Sequence, residues 1–357
     1  MPSIEDGGVE KNLFIISNYL KDCGISLEIL TSSYDKSNKF TKGIKLIGTK
    51  GIFWQKQSRK IKYFVCLIIL FFNLIKRKDK PLIFAFQANM YAVLVAKILN
   101  TKIITRSNTA PAGWSKNIFK ILLYKLLLSF ADDIMVNSIE FKKSIKKRFN
   151  INAKCIYNPF DKNFIKLNLK KREKIKFFKK DYLNLISVGR LHDQKDHLTL
   201  LKSINLLKKN FKVRLIIIGK GKEKKILQNF ILTNNLQDRV RLFGYLKNPY
   251  NYLNNSDIVI STSKFEGLPN ILLEAQYLKK YIISTNCETG PKEILLNGKA
   301  GDLISIGDYK KLSFLIKNYH IRKKIIKKKI SIGTKNFYRF DYRLNCNKYL
   351  KFIKNNE

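Results

Sequence analysis

The sequence of 357 residues contains little that would place it among membrane-spanning or disulfide-linked proteins. The longest apolar run covers residues 63–75 and includes Asn73, whereas a membrane-spanning helix needs about 20 apolar residues. No cationic segment followed by an apolar core occurs at the N-terminus, so we expect no signal peptide. The five cysteines form no CxxC pair, which predicts reduced, buried thiols in a cytosolic protein.

Acidic residues are also scarce. The chain has 26 Asp and Glu against 70 Lys and Arg, a formal net charge of +44. Such a charge attracts nucleic acid, anionic lipid and nucleotide phosphates. Because the lysines are spread along the whole chain, three interpretations remain open: a compositional bias alone, a bias that also favours an anionic membrane surface, and nucleic-acid binding.

Metal-binding signals are absent from the sequence. No DxD motif occurs, and the three histidines His192, His197 and His320 do not have the spacing of metal ligands. We therefore expect no metal and no other cofactor.

Apolar segments of strand length alternate with amphipathic segments of helix length, which predicts parallel sheets covered by helices, an α/β fold. The predicted strands are 26–31, 81–86, 102–106, 133–137, 183–188, 213–218, 239–243, 257–261 and 281–285. The predicted helices are 8–22, 59–76, 87–100, 116–129, 196–209, 223–234, 249–254 and 269–278. Helix 59–76 is either a core helix or a helix lying in a membrane interface.

The alternation is interrupted once, by a lysine-rich stretch. This predicts two Rossmann-like, doubly wound domains, residues 1–160 and 183–335, joined by a linker at 161–182. Residues 336–357 are predicted to be a further helical segment.

Several motifs directly follow predicted strands, where ligands bind in open α/β sheets. Gly189, Arg190 and Lys195 follow the first strand of the second half, and the two cations suit a diphosphate. Gly219 and Gly221 follow the next strand, where they permit a tight turn. Each motif alone is also typical of an ordinary loop.

The string E-G-L-P-N, continuing to E-A, is the most unusual motif. Pro269 suits the first turn of a helix, whose exposed N–H groups bind anions. Glu266 lies in the loop before this helix and Glu274 lies inside it. Carboxylates so placed can bind the hydroxyls of a sugar and a ribose, although a capped surface helix would show the same pattern.

Together these motifs resemble the donor domain of the GT-B glycosyltransferases, specifically the retaining enzymes of family 4. The resemblance covers about residues 184–311 and depends on the order and spacing of the motifs, which also include Phe243-Gly244, T-G-P-x-E-I-L and N-G-K-x-G. It implies two domains facing a central cleft. It also implies a donor-binding set, namely Gly189, Gly219, Gly221, Phe243, Gly244, Gly267, Leu268, Asn270 and Glu274.

The first half resembles the acceptor domain of that family more loosely. Gly7 and Gly8 match its glycine loop, and Arg106 and Asn108 stand where the family places polar residues on the acceptor side. The resemblance implies that residues 336–357 cross back to this domain. Only six residues precede Gly7, so the first strand of this domain is expected to be missing.

The resemblance also implies a mechanism. Arg190 and Lys195 would neutralise the departing diphosphate, and Glu266 would contact the donor sugar. Glu274 would bind the ribose hydroxyls, and Gly7 and Gly8 would close over the phosphates. The configuration at the anomeric carbon would be retained.

The sequence therefore predicts a hexosyltransferase-type enzyme that moves a sugar from a UDP-linked donor to a lipid-linked cell-surface glycan, such as lipopolysaccharide, O-antigen, capsule or exopolysaccharide. It is expected in the cytoplasm, on the anionic inner surface of the membrane, without a specific nucleic-acid partner. A nucleotide-sugar epimerase, a non-catalytic protein binding anionic lipid or nucleic acid, and an inactive truncated homologue remain alternatives.

Overall fold

The computed structural model describes residues 1–2, 4, 7–34, 39–87, 89–108, 117–169, 175–209 and 211–356. The chain folds into two compact units. The first unit comprises Met1–Pro159 together with Asp341–Glu357, and the second comprises Phe160–Phe340. The chain therefore passes between the units twice.

The first unit alternates helices and short strands. Its elements in chain order are α1 (Gly8–Asp22), β1 (Glu28–Ser33), β2 (Lys45–Thr49), α2 (Ile52–Lys56), α3 (Arg59–Ile75), β3 (Ile83–Ala85), α4 (Asn89–Ile98), β4 (Ile103–Ser107), α5 (Ile118–Ser129), β5 (Asp133–Val136), α6 (Ile139–Phe149) and β6 (Lys154–Cys155). Helices α3, α5 and α6 begin after Ser58, Asn117 and Ser138, whose side chains accept hydrogen bonds from first-turn N–H groups.

The second unit has a longer and more regular alternation. Its elements are α7 (Lys162–Asn168), β7 (Leu183–Val188), α8 (His197–Leu207), β8 (Val213–Ile218), α9 (Lys224–Thr233), β9 (Val240–Leu242), α10 (Tyr250–Asn254), β10 (Ile258–Ser261), α11 (Asn270–Tyr277), β11 (Tyr281–Thr285), α12 (Pro291–Ile294), β12 (Asp302–Ile304), α13 (Tyr309–Lys317) and α14 (Lys323–Lys335). The last helix, α15 (Tyr342–Lys354), belongs to the first unit.

The strands of the second unit form one parallel sheet in the order β12-β11-β10-β7-β8-β9. In the described part of the first unit, β1 pairs with β2 and a separate parallel sheet has the order β3-β4-β5-β6. The backbones of Met1 and Pro2 hydrogen-bond to β1, and the side chain of Ile4 is buried in the same core. This confirms the predicted α/β class.

The four-stranded sheet has apolar side chains on both faces. Ile104 and Met135 point to a core shared with α1 and α15, whereas Ile103 and Ile134 point to the cores beneath α3, α4, α5 and α6. Such double coverage explains why consecutive apolar residues, such as Ile103–Ile104 and Ile134–Val136, occur in these strands instead of strict alternation.

The segment predicted as a linker contains a packed helix. Helix α7 buries Ile165, and the Phe164 ring lies 6.1 Å from the Tyr250 ring. Asn248 Nδ2 donates to the carbonyl oxygen of Asn168 at 2.8 Å. Of residues 161–182, the described part up to residue 169 therefore packs within the second unit.

Candidate functional site

The loops that follow β7 to β11 lie at one edge of the second unit's sheet, because all the strands are parallel. Strand β7 lies between β8 and β10. The chain runs from β7 to β8 on one side and from β10 to β11 on the other, so the connections that follow β7 and β10 run in opposite directions along the sheet. The gap between the carboxyl ends of such strands is where open α/β sheets bind ligands. The predicted donor-site residues all lie in these loops or on helix α11.

Two of the predicted catalytic residues form an ion pair. Lys195 Nζ contacts Glu266 Oε1, although these residues are 71 positions apart in the chain. The exposed fractions of the two side chains are only 18% and 9%. The pair lies between the ends of β7 and β10, and its low exposure strengthens the electrostatic interaction.

The loop after β7 is fixed to the loop after β10 by further bonds. Gln194 Nε2 donates to the Phe265 carbonyl at 2.8 Å, and Lys264 N donates to the Gln194 carbonyl at 2.8 Å. Thr262 Oγ1 donates to the Lys195 carbonyl at 3.0 Å. These contacts hold the backbone around Lys195 in place.

Arg190, the third predicted catalytic residue, lies on the same loop and is exposed. One guanidinium nitrogen lies 3.5 Å from Gln194 Oε1, at the limit of a hydrogen bond. Its guanidinium therefore remains accessible to an anion at this edge.

Gly219 and Gly221 bring the loop after β8 against the loop after β7. A Cβ at Gly219 would stand 1.8 Å from the Gly189 carbonyl oxygen, and one at Gly221 would stand 2.1 Å from the Leu191 carbonyl oxygen. The protein's own backbone thus occupies the space that a side chain would need. A Cβ at Gly189 would stand 3.3 Å from Lys195 Cε.

The loop after β9 continues this arrangement. Gly219 N donates to the Gly244 carbonyl at 2.7 Å, and Gly244 adopts a φ of +68°. The ring of the neighbouring Phe243 is half-buried and packs edge-on against Tyr252, with 5.3 Å between centroids. Both predicted residues therefore lie at this edge.

The loop after β11 packs on the E-G-L-P-N loop. Thr289 Oγ1 donates to the Glu266 carbonyl at 2.6 Å. Gly290 has a φ of +88°, and a Cβ there would stand 2.0 Å from the Gly267 carbonyl oxygen. The loops after β9, β8, β7, β10 and β11, which are neighbours in that order across the sheet, are thus each bonded to or packed against the next.

Glu274 lies on α11 and is nearly buried, at 8% exposure. Tyr250 Oη donates to Glu274 Oε1 at 3.3 Å. Leu268 is buried, and Asn270 begins the helix whose N-terminus faces the Glu266 loop. The dipole of α11 places partial positive charge there, which favours an anion.

Two titratable side chains lie beneath these loops. Burial and the positive charge of Lys195 lower the pKa of His197 to about 4, and its Nδ1 lies 3.5 Å from Ser187 Oγ. Burial, and then the charge of Glu266, raises the pKa of the Cys287 thiol to about 12. Both groups are neutral at pH 7. Sequence reasoning placed Thr289 at this edge within the motif T-G-P-x-E-I-L, and it gave no site role to His197, Tyr250 or Gln194.

In the first unit, Gly7 and Gly8 begin α1. Gly7 N-caps the helix in an extended conformation, and Asn12 Nδ2 donates to the Gly8 carbonyl at 3.0 Å. A Cβ at Gly7 would stand 2.3 Å from Glu10 Oε2, the end of a flexible side chain.

Arg106 lies in the interior of the first unit with none of its surface exposed. It donates from Nε to Tyr349 Oη at 2.9 Å and from Nη2 to Asn158 Oδ1 at 2.8 Å, and it also contacts Asn108. Its guanidinium stacks over Phe86 at 4.9 Å. In this position Arg106 can act on an acceptor only through Asn108 or another neighbour, and the predicted acceptor role stays a prediction.

No group of three or more His, Cys, Asp or Glu side chains comes together anywhere in the described residues. None of the described helices is long and apolar enough to cross a membrane. The absence of a metal requirement remains a prediction.

Residues 169–330 match the model of the family glycosyl transferases group 1. This group 1 segment contains every predicted catalytic and donor-binding residue. The match supports the predicted resemblance for the second unit, while membership of family 4 and retention of configuration stay predictions.

Two relatives share sequence with the chain. It is 36% identical over 181 residues to the uncharacterized glycosyltransferase MJ1059 of Methanocaldococcus jannaschii, covering 49% of this chain and 45% of that protein. It is 30% identical over 238 residues to N-acetylgalactosamine-N,N'-diacetylbacillosaminyl-diphospho-undecaprenol 4-alpha-N-acetylgalactosaminyltransferase of Campylobacter jejuni, covering 64% and 63%. The chain thus spans less than two thirds of either relative.

Among solved structures, HepE of Anabaena in complex with UDP-glucose superposes with a TM-score of 0.80. The match covers 99% of this chain and 97% of that one, at 17% sequence identity. This likeness shows the fold, which is of the GT-B type, as predicted.

Proposed function

We propose that this protein is a glycosyltransferase that transfers a hexose-type sugar from UDP to a hydroxyl group of a lipid-linked glycan in cell-surface polysaccharide synthesis. The donor would bind the second unit at the edge formed by the loops after β7 to β11. The matched family, the UDP-glucose held by HepE and the diphospho-undecaprenol substrate in the name of the Campylobacter relative support this proposal.

The observation that carries the proposal is the shielded Lys195–Glu266 pair at the switch point of the sheet. Two charges with little exposure cost several kcal/mol in desolvation unless they are well compensated, so such a pair is weak evidence for stability alone. Its position beside Arg190 and the N-terminus of α11 fits a site for a negatively charged ligand. A functional pair is therefore the better interpretation.

Each side chain then has a role. Arg190 and Lys195 stabilise the negative charge that develops on the diphosphate when the bond from its oxygen to the anomeric carbon breaks. Glu266, released from Lys195 by the diphosphate, accepts a hydrogen bond from the donor sugar. Glu274 accepts hydrogen bonds from the ribose, and Tyr250 orients its carboxylate.

The transfer would retain the anomeric configuration. The anomeric carbon exchanges the diphosphate oxygen for the acceptor oxygen on the same face, and the acceptor proton passes to the departing diphosphate. In the donor complex Glu266, the carboxylate nearest the switch point, is occupied by its hydrogen bond to the donor sugar, which is why we assign the proton to the diphosphate rather than to a protein base. Trapping of a covalent glycosyl-enzyme would contradict this path.

Calorimetric titration with UDP tests the donor site. Replacing Glu274 by Ala removes a charged hydrogen-bond acceptor, so UDP affinity should fall by roughly 1.5–3 kcal/mol, more than tenfold. Asp238→Ala is the matched control, because it removes one negative charge at the opposite edge of the same sheet. Equal affinities in the two variants, or no UDP binding by the folded protein, would overturn the assignment.

The ion pair allows a sharper test. Lys195→Met removes a diphosphate ligand and should weaken UDP binding about tenfold or more. Glu266→Gln keeps the shape but frees Lys195, so UDP should bind at least as tightly while turnover with UDP-sugars falls at least about a hundredfold. If Glu266→Gln weakened UDP binding as Lys195→Met does, the pair would be structural.

A further inference from the structure

The outer surface of the first unit carries an unusual amount of exposed apolar side chain. Helices α3, α4 and α5 lie side by side on the same face of the four-stranded sheet, where Leu67, Leu70, Val93 and Leu128 fill the core beneath them. Their opposite sides point away from the sheet. We call the exposed apolar residues of α3, α4 and α5 the outer face.

Helix α3 contributes a regular stripe to this outer face. Its exposed apolar residues are Ile61, Phe64, Ile68, Phe72 and Ile75, spaced three or four positions apart. That spacing aligns them along one side of the helix. Phe64 is 66% exposed, so the stripe is accessible to solvent on the surface of the unit.

Helices α4 and α5 extend the outer face. Tyr91, Leu94 and Ile98 form the stripe on α4. Helix α5 exposes Ile118, Phe119, Leu122, Leu123 and Leu126, with Phe119 at 77% exposure. Monomeric proteins rarely leave adjoining apolar stripes of this extent uncovered, and larger patches mark sites of association.

A cavity adjoins the outer face between α5 and the end of α6. Its volume is about 370 Å³, and Leu122, Leu126 and Ile151 contribute to its lining. Lys125 also lines this open groove, which therefore combines apolar and basic side chains as the outer face does.

The charges on the same helices are all of one sign. Helices α3, α4 and α5 contain no Asp or Glu. Their exposed basic residues are Arg59, Lys60, Lys97, Lys120 and Lys125, of which Lys97 pairs with Asp132 just after α5, and Lys62 of α3 is buried. An apolar stripe with lysine and arginine beside it is the pattern of helices that lie in the headgroup region of an anionic bilayer.

We infer that the outer face is a docking surface for an anionic phospholipid bilayer, with α3, α4 and α5 lying in the plane of the membrane. The inference rests on the proposed function, because it names the surface that would bring this enzyme to a lipid-linked acceptor. Helix α3 has 17 residues and measures about 26 Å at 1.5 Å per residue, shorter than the apolar core of a bilayer. Docking therefore needs no helix to cross the membrane.

Charge separates this occupant from a second copy of the chain. Two identical outer faces would bring exposed basic side chains together with no acidic side chain on the three helices to offset them. An anionic lipid surface supplies the opposite charge over the whole area. A bilayer is thus the partner that can both cover the apolar stripes and offset the positive charge of the outer face.

Flotation with vesicles tests the inference on the full chain. Vesicles of phosphatidylcholine with about 30 mol% phosphatidylglycerol should bind the protein, and pure phosphatidylcholine should bind it at least about tenfold more weakly. Four exposed residues of the outer face are replaced together: Phe64→Gln, Phe72→Gln, Phe119→Gln and Leu122→Gln. This variant should bind the anionic vesicles at least about tenfold more weakly than the wild type.

The second unit offers a matched control of equal number and similar exposure. Its residues are Leu206, Leu232, Phe314 and Ile321, at 55%, 57%, 54% and 84% exposure, each replaced by Gln. The control variant should bind vesicles as the wild type does. Loss of binding in neither variant would show general adhesion by charge, and loss in both would show that the outer face has no special part in binding. Either result would overturn the inference.

A second measurement does not depend on the stability of the fourfold variant. In a Cys23→Ser background, which removes the exposed thiol, Phe119→Cys carries an environment-sensitive dye. Its emission should shift to the blue on anionic vesicles, and the same dye at Ile321→Cys should not shift. No shift at position 119, or equal shifts at both positions, would contradict docking through this face.

Two further outcomes are distinguishable. A wild type that binds no vesicles but forms dimers, with the outer-face variant monomeric, would show that the face joins two chains and overturn the inference. UDP titration of the same samples without lipid separates the two proposals. Vesicle binding without UDP binding would leave the docking surface standing while the donor assignment fails.

Discussion

The functional features of the two units differ in kind. In the second unit, the loops after β7 to β11 are bonded or packed one against the next, and nearly buried charges lie among them. In the first unit, the most unusual features are a fully buried arginine and an exposed apolar surface. The candidate donor site therefore depends on backbone geometry that short motifs encode. The first unit depends on side chains that come together only in the fold.

The largest expected effect is at Arg106, where a substitution should destabilise the first unit and leave the second unit unchanged. Arg106→Met leaves the buried oxygens of Tyr349 and Asn158 without their donor and should lower the free energy of unfolding of the first unit by about 3–5 kcal/mol. Urea unfolding measures this loss, and UDP affinity reports the second unit separately. Arg59→Met, an exposed arginine of the same unit, should change stability by less than about 0.5 kcal/mol. A parallel loss of UDP binding would contradict the separation.

Gly290→Ala is the corresponding test of the second unit. Its Cβ would stand 2.0 Å from the Gly267 carbonyl oxygen, so the loops must move apart and the protein should lose about 2–4 kcal/mol of stability. Gly298 has the same φ of +88°, but a Cβ there has no neighbour closer than 3.9 Å. Gly298→Ala should therefore cost only about 1 kcal/mol. If denaturant unfolding gave equal losses of stability for Gly290→Ala and Gly298→Ala, backbone strain rather than loop packing would account for both losses.

The pH dependence of the free energy of unfolding reports on the buried side chain of His197. Because burial and Lys195 lower its pKa from 6.5 to about 4, the unfolded chain binds the proton first as the pH falls. The folded state should lose up to roughly 3 kcal/mol between pH 6.5 and pH 4, having been fully stabilised by this group above pH 6.5. His197→Gln should flatten the slope between pH 6.5 and pH 5. An unchanged slope in that variant would assign it to other groups.

The smallest expected effect is at Tyr250. Tyr250→Phe removes one hydroxyl that bonds to Glu274, so UDP affinity should fall by about 1 kcal/mol, roughly fivefold, with stability nearly unchanged. Tyr252→Phe, on the same short helix, is the control and should leave affinity alone. Calorimetric titration of the two variants with UDP tests whether Tyr250 positions the Glu274 carboxylate or whether that carboxylate acts independently of it.

Strand positions in the second unit were predictable because they are fully buried. The predicted bounds of β7, β8 and β11 agree with the structure, since these largely apolar, buried segments end at glycine or polar turns. In the first unit, β2 and the two-residue strand β6 were not predicted. Both are short, and their residues are half-buried or exposed, so they carry no clear pattern.

The pairing of Lys195 with Glu266 could not be read from the sequence. The residues are 71 positions apart, and their contact depends on β7 lying beside β10, which only the order of strands determines. The position of Arg106 was equally hidden, because Tyr349 lies 243 residues further along the chain. Local motifs predict which loops carry the site, and the topology decides which side chains meet.

The return of α15 to the first unit has a consequence for the order in which the protein is made. During synthesis, Phe160–Phe340 leaves the ribosome as one continuous stretch, and α15 follows it. Until then Arg106 lacks Tyr349, and Ile104 and Met135 lack the apolar cover of α15. The domain that is translated first is therefore completed last, and its core is open to chaperones throughout that interval.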